Sequence, residues 1–412
     1  MKKFLALLLA LVMALSLFAC GKKDDGGDKD ASEYKVAMIT DYGDITDQSF
    51  NQTTYEACKA FAEKNGVDFK YYKPAGDNTA DRVAMIESAV EEGYNVIVMP
   101  GYAFGGAIVE AAPQFPDVKF IALDVAKGDL LEAGVAAKGE KYDYDPDNWD
   151  LNKYVDMSNV YCAIYKEELC GYMAGYAAVK LGYKNLGFLG GMGVPAVVRY
   201  GYGFVQGVNA AADELKLTDV KLNYVYGGQF FGDADITAVM DTWYKGGTEV
   251  VFACGGGIYT SAVDAAKKVE GAKVIGVDVD QAGVIANYAA GEDADQATIE
   301  SYKALTVTSA MKGLYPATFD TLTDVIVNGN WDKYKGKIDN LGLVSAEDPT
   351  LNYVQIPMES TQWKDGAFTQ DDYKAMVKDM VDGKIVVDND TTKAAKDFAT
   401  VITLDDQGKI KG

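Results

Sequence analysis

The sequence predicts an α/β protein with two parallel-sheet lobes facing each other across a cleft. Three observations carry this. Short apolar runs alternate with helical patterns through most of the chain. Nine such runs are spread over a length that suits two sheets better than one. Polar or aromatic residues recur at the C-terminal ends of the runs, where open α/β sheets bind ligands.

The runs are residues 36–39, 69–72, 96–99, 120–123, 186–189, 222–226, 250–253, 274–277 and 305–308. Helical patterns lie between most of them, as at 79–92, 169–181, 197–215 and 259–269. Strand–helix alternation at this spacing gives parallel sheets covered by helices on both faces. Two segments break the rhythm. Residues 127–158 carry eight Asp and Glu, three Tyr and Trp149, and read as an insertion or long loop. From Trp331 onward the alternation weakens, with 354–356 and 384–387 as short strand candidates in a tail expected to pack on one lobe.

The chain opens Met1-Lys2-Lys3 and runs apolar from Phe4 to Ala19, broken only by Ser16. That pattern is a signal peptide over 1–19, too short for a permanent membrane span. It ends Leu17-Phe18-Ala19-Cys20, which is similar to a bacterial lipobox, so Cys20 is expected to carry lipid and hold the protein to the membrane. Residues 20–33 are mostly polar and rich in Gly and Asp, and read as a flexible linker. Losing Lys2 and Lys3 with the leader takes the formal charge from −22 to −24, which opposes binding to nucleic acid. Of the remaining cysteines, Cys58, Cys162, Cys170 and Cys254, none forms a CxxC pair. Buried free thiols fit them, with a Cys162–Cys170 bridge left open.

The chain contains no His, the commonest general base and metal ligand. It has no G-x-S-x-G elbow, and Gly255-Gly256-Gly257 lacks the Lys-Ser/Thr of a phosphate cradle. Gly191 to Ala196 formally fits G-x-G-x-x-A, but its candidate acid, Asp213, falls in a helical pattern. The expectation is a protein that is not an enzyme, with no catalytic residue, cofactor or metal.

The polar stretch 40–52 joins the first apolar run to a helical pattern. An ordinary helix start accounts for Asp47, Ser49 and Asn51, which suit the capping of free N–H groups. It does not account for Phe50 in the middle of the loop. Gly101 and Tyr102, Asp124, Phe230 and Phe231, Gly256, and Asp278 and Asp280 follow later runs in the same way.

These residues bring a resemblance into view. Asp47-Gln48-Ser49-Phe50-Asn51-Gln52, Val98-Met99-Pro100-Gly101-Tyr102 and Pro116-Asp117-Val118-Lys119-Phe120 are similar to the basic membrane protein (BMP) family. So are Gly171-Tyr172-Met173-Ala174-Gly175, Gly190 to Gly193 with Pro195, and Gly203-Phe204-Val205-Gln206-Gly207. Ile275-Gly276-Val277-Asp278-Val279-Asp280-Gln281 and Thr308-Ser309-Ala310-Met311-Lys312 complete the set, in order between residues 36 and about 330. Members of that family are lipid-anchored substrate-binding proteins of ABC importers, and those studied bind purine nucleosides.

The resemblance implies a periplasmic-binding-protein type I fold, monomeric, with a hinge. Lobe 1 would take 34–163 plus 310–333, and lobe 2 would take 164–309 plus 334–412. It implies that Phe50 and Phe231, or less readily Phe230, sandwich a base. Asn51 would bond the purine edge, and Asp124, Asp278 and Lys312 would hold the ribose. Asp47, Ser49, Gly101, Tyr102, Gly256 and Asp280 complete the expected ligand contacts. ABC permease subunits are the implied partners. A sugar-binding lipoprotein of the same fold is the alternative, and an extracellular nucleoside hydrolase a more distant one. The chain departs from the family in the long segments 127–158 and 287–304, in Ser261 where a Gly is expected, and in the tail beyond 340.

Overall fold

Apolar residues buried on both faces build two parallel sheets. The structure, a computed structural model, describes residues 33–411. The predicted signal segment, Cys20 and the linker up to residue 32 lie outside the described residues.

The first sheet contains β1 (Lys35–Ile39), β2 (Asp68–Tyr72), β3 (Val96–Pro100), β4 (Lys119–Leu123), β5 (Val160–Tyr165) and β11 (Lys337–Leu341), in the order β11-β5-β4-β3-β1-β2. The second contains β6 (Asn185–Gly190), β7 (Lys221–Tyr226), β8 (Val250–Cys254), β9 (Lys273–Asp278), β10 (Thr306–Lys312), β12 (Val354–Gln355) and β13 (Thr403–Lys409). Its order is β12-β10-β9-β8-β6-β7-β13, and only β12 runs antiparallel to its neighbour. In β1, Val36 and Met38 enter one hydrophobic cluster while Ala37 and Ile39 enter another. In β8, Phe252 and Cys254 face one cluster and Val251 and Ala253 a second. Burial on both faces is why these strands read as continuous apolar runs.

Both sheets share one topology. Counted from its own first strand, each runs 2-1-3-4-5, as β2-β1-β3-β4-β5 and as β7-β6-β8-β9-β10. In such sheets the ligand crevice opens where the order reverses, here between β1 and β3 and between β6 and β8. The chain passes between the sheets three times: from β5 into the helix Glu167–Lys180, from β10 into the helix Leu314–Leu322, and from β11 to β12. The Leu314–Leu322 helix packs on the helix Phe50–Asn65, with Phe319 and Phe61 ring centroids 6.1 Å apart.

Several expectations are corrected. Segment 127–158 opens with a helix, Lys127–Ala137, whose Asp129 accepts a hydrogen bond from the Ala126 N–H at 2.7 Å. Gly128 and Gly134 hide this helix in the sequence. At Gly134 a Cβ would sit 2.9 Å from the Tyr154 carbonyl oxygen, so the helix is pressed against the rest of the segment. That remainder folds back through Tyr142, Trp149 and Tyr154, whose rings meet edge to face. β5, β11 and β13 are strands beyond those expected, and 384–387 is not a strand. The tail serves both sheets: β11 joins the first, although everything after 334 was assigned with the second, while β12 and β13 join the second. Cys162 and Cys170 are both free and buried, so no bridge links them.

Two helices of the second unit touch backbone to backbone. On Glu167–Lys180, a Cβ at Gly171 would lie 2.3 Å from the Tyr200 carbonyl oxygen. On the helix Pro195–Glu214, a Cβ at Gly203 would lie 2.0 Å from the Glu168 carbonyl oxygen. The glycines spaced four apart in both helices therefore have a packing reason. Gly203→Ala is expected to destabilise the fold by about 3 kcal/mol, the upper end of the usual overpacking range. Urea unfolding measures this, and a loss below about 0.5 kcal/mol would show that the helices separate freely.

Candidate functional site

The loops leaving β1, β3, β6 and β8 converge on a cavity of about 410 Å³ between the sheets, within the usual range for small-molecule sites. Of the residues expected to contact ligand, Asp47, Phe50, Asn51, Gly101, Tyr102, Asp124, Phe231, Gly256, Asp278 and Lys312 line it. Ser49 and Asp280 do not. Ser49 is fully buried behind the wall and donates to Asp278 Oδ2 at 2.6 Å, linking the β1 loop to the end of β9. Asp280 is exposed and accepts instead from the Ala282 N–H at 3.1 Å, at the start of the following helix.

The β1 loop is built around carboxylates. Asp47 accepts from the backbone N–H groups of Ser49, Asn51 and Gln52 at 2.9, 2.9 and 3.1 Å, which starts the Phe50–Asn65 helix. Asp41, not foreseen as a site residue, accepts from the N–H groups of Tyr42 and Gly43 at 2.6 and 2.7 Å. Burial nevertheless raises both carboxyls above their ordinary range. Asn51 Nδ2 donates to both, at 3.3 Å to Asp41 and 3.1 Å to Asp47. This fixes the amide and leaves Asn51 Oδ1 buried with no hydrogen-bond partner among the described residues. Such an atom is costly unless a ligand N–H or O–H reaches it. Gly101 closes this corner: its φ is +124°, and a Cβ there would lie 3.0 Å from Asp41 Oδ2.

The floor is a charge cluster centred on Lys312, the last residue of β10. Its Nζ lies 2.5 Å from Asp124 Oδ2, 3.5 Å from Asp278 Oδ1 and 3.9 Å from Glu167 Oε1. It also sits 4.6 Å from the centre of the Phe50 ring. Burial pulls the ammonium down, but Asp124, Asp278 and Glu167 together outweigh it and hold the pKa above the usual lysine value. Asp278 is further satisfied by Ser49 and by the Tyr200 hydroxyl at 3.3 Å. Among the described residues Asp124 Oδ1 is buried without a partner, a second acceptor available to ligand. Both aspartates end strands of different sheets, and both hold positive φ, +59° and +65°. Non-glycine residues in that region cluster at functional sites.

Sequence reasoning missed Glu167, Arg199 and Tyr200. Glu167 starts the helix after the first passage between sheets and accepts from Arg199 Nε at 2.6 Å. Only the packing of that helix on Pro195–Glu214 brings them to Lys312, and no local pattern records it. Cavity-facing Tyr200 follows the β6 turn, so the switch-point rule applied to the second sheet would have found it.

The aromatic wall comes from the loop after β7. Phe230 is half-buried and its ring centroid lies 6.5 Å from that of Tyr42 across the cleft. Phe231 is 59% exposed yet lines the cavity. Gly256 supports this loop from below: its Cβ would fall 2.9 Å from the Phe230 carbonyl oxygen, and the neighbouring Gly257 N–H donates to that oxygen at 2.8 Å.

A pH dependence arises beside the cluster. The Glu168 carboxyl is pushed up to about 7, by burial first and by Glu167 next. The folded state keeps a proton that the unfolded chain releases near pH 4.5, so stability falls as pH rises from about 4.5 to 7. Glu168→Gln should remove up to about 3 kcal/mol of that fall. It should unfold like wild type at pH 4 and later than wild type at pH 8. Parallel urea curves at both pH values check this, and an unchanged difference would refute it.

The family described as ABC transporter substrate-binding protein PnrA-like (Bmp) matches residues 34–346. The chain belongs to the Bmp family. Among Bmp relatives, the ABC transporter nucleoside-binding protein BmpA of Lactococcus lactis is 26% identical over 287 residues, 66% of this chain and 72% of that protein. An uncharacterized lipoprotein of Pyrococcus abyssi is 25% identical over 366 residues, 85% of this chain and 78% of that protein. A solved ABC transporter solute-binding protein from Aeropyrum pernix K1 superposes with a TM-score of 0.60 at 20% identity, over 89% of this chain and 90% of that one. This Bmp chain thus has the periplasmic-binding-protein architecture, and its family role is solute capture for an ABC transporter.

Proposed function

We propose that this Bmp protein is a lipid-anchored extracytoplasmic receptor that captures a nucleoside, specifically a purine nucleoside, and delivers it to an ABC importer. The observation that carries this reading is the pair of unpartnered acceptors, Asn51 Oδ1 and Asp124 Oδ1, at a cavity walled by Phe50, Phe230 and Phe231. Flat bases stack on aromatic faces. The Asn51 oxygen suits a base N–H, and Asp124 with Asp278 suits the hydroxyls of a ribose. Five carboxylates, Asp41, Asp44, Asp47, Asp124 and Asp278, line the cavity against two lysines, Lys73 and Lys312, so a phosphate would meet net negative charge. A neutral nucleoside fits better than a nucleotide.

The test is a thermal-shift panel of nucleosides, nucleotides, free bases and sugars, followed by calorimetry. A nucleoside at about 100 times its Kd should stabilise the fold by roughly 2.7 kcal/mol. Stabilisation by a pentose or hexose and by no nucleoside would replace this reading with the sugar-binding one. Release of free base from inosine would indicate a hydrolase. The anchor is supported by Leu17-Phe18-Ala19-Cys20 and by the lipoprotein name of the Pyrococcus relative. Cys20→Ser should release the protein from membranes, and retained membrane association would refute the anchor.

A further inference from the structure

We propose that the C-terminal strand β13, with Lys411 just beyond it, is a clamp that positions the Phe230–Phe231 wall for ligand. This inference rests on the nucleoside reading of the cleft. It concerns residues beyond the family match, which ends at 346.

The loop that carries the two aromatics is bordered by glycines. Gly227 and Gly228 precede it and Gly232 closes it, with Gly228 at φ +87°. Glycines leave a backbone many conformations to lose, so a loop framed this way needs outside contacts to hold one of them. One side has such contacts from within the second sheet. The Gly257 N–H donates to the Phe230 carbonyl at 2.8 Å, and the Asp233 N–H donates to Ser261 Oγ at 3.0 Å.

The other side depends on the tail. β13 lies parallel to β7, and its continuation donates from the Ile410 N–H to the Tyr226 carbonyl at 2.8 Å, at the point where the loop departs. A Cβ on Gly228 would fall 2.7 Å from the Lys411 carbonyl oxygen, so the two backbones lie against each other. The Lys411 ammonium then reaches over the loop. It pairs with Asp233 Oδ2 and lies 3.6 Å from Asp235 and 3.5 Å from Gln229 Oε1. Gln229 passes the contact on: its Nε2 donates to Asp233 Oδ2 at 2.8 Å and to the Phe231 carbonyl at 2.9 Å. A continuous path therefore runs from the tail's lysine to the backbone of the exposed aromatic. Lys411 does not line the cavity, so it acts as a positioning residue through Phe231.

The experiment is a double-mutant cycle on the full-length protein, with guanosine and inosine as probes in calorimetry. Lys411→Met should weaken both about threefold to tenfold, and Lys411→Arg should restore most of the loss. In a Phe231→Ala background, Lys411→Met should have no further effect, because the group it positions is gone. Hydrogen exchange without ligand should show residues 229–232 less protected in Lys411→Met. Unchanged affinity in Lys411→Met overturns the proposal, as does an equal loss with and without Phe231. If the wild type binds neither probe, the nucleoside reading fails, and exchange alone decides whether the tail holds the loop. Unchanged protection at 229–232 would then overturn the clamp.

Discussion

Lys312→Met is expected to cost about 3–5 kcal/mol of folding stability and to weaken ligand binding about 30-fold or more. The lysine is 4% exposed at its side chain, and its three carboxylate neighbours are 9% exposed or less. Buried carboxylates without a counter-charge are unfavourable, and Arg199 already serves Glu167. Removing the ammonium therefore leaves Asp124 without its hydrogen-bond donor, and Asp278 with only the Ser49 and Tyr200 hydroxyls. Two readouts separate fold from function. Urea unfolding reports the first, and Lys312→Met combined with Asp124→Asn should recover part of the stability by removing one orphaned charge. Calorimetry reports the second, and that double variant should not regain affinity, because both groups face the ligand. A Lys312→Met protein that unfolds like wild type would show that the cluster is held by something other than its central charge.

This cluster also shows what was legible in the sequence. Asp124, Asp278 and Lys312 stand at strand ends, and strand ends are readable because parallel strands buried on both faces make unmistakable apolar runs. The topology then brings those ends together. Glu167 and Arg199 lie within helices whose mutual packing is recorded only as glycines, and a glycine in a sequence does not name the backbone it admits. The distinction between Asp278 and Asp280 was out of reach for a related reason. Two acids separated by one residue take different places: Asp278, at positive φ, lines the cavity, while Asp280 is exposed and bonds the Ala282 N–H.

The fold divides in the same way. The nine apolar runs became strands, while β13, Thr-Leu-Asp-Asp-Gln-Gly-Lys, is polar and largely exposed. Its pairing partner β7, not its own pattern, makes it a strand. Conversely, 384–387 has the apolar residues of a strand but no neighbour to pair with, and Val386 is 81% exposed. The helix Lys127–Ala137 was obscured by its own Gly128 and Gly134, where the segment that follows packs back against it.

The aromatic wall gives the second large effect. Phe50→Ala should weaken purine nucleoside binding by about 1–3 kcal/mol, the range for losing one base–aromatic stack. Phe50 is half-buried against Lys312, so its removal should cost less stability than the roughly 3–5 kcal/mol of a core Phe→Ala change. Phe231, 59% exposed, should cost within about 0.5 kcal/mol of stability when truncated while still weakening the nucleoside. Phe230→Ala differs from both, because its ring fills the space beside Gly191 and Gly255, where added Cβ atoms would lie 2.3 and 2.8 Å from it. It should lose stability and affinity together. Calorimetric titration with guanosine, set beside urea unfolding of each variant, distinguishes these patterns. If Phe50→Ala and Phe231→Ala both bind guanosine as the wild type does, the base is not held between them. If the losses fall equally on guanosine and on free ribose, the aromatics are stacking on a sugar ring and the cleft is a sugar site.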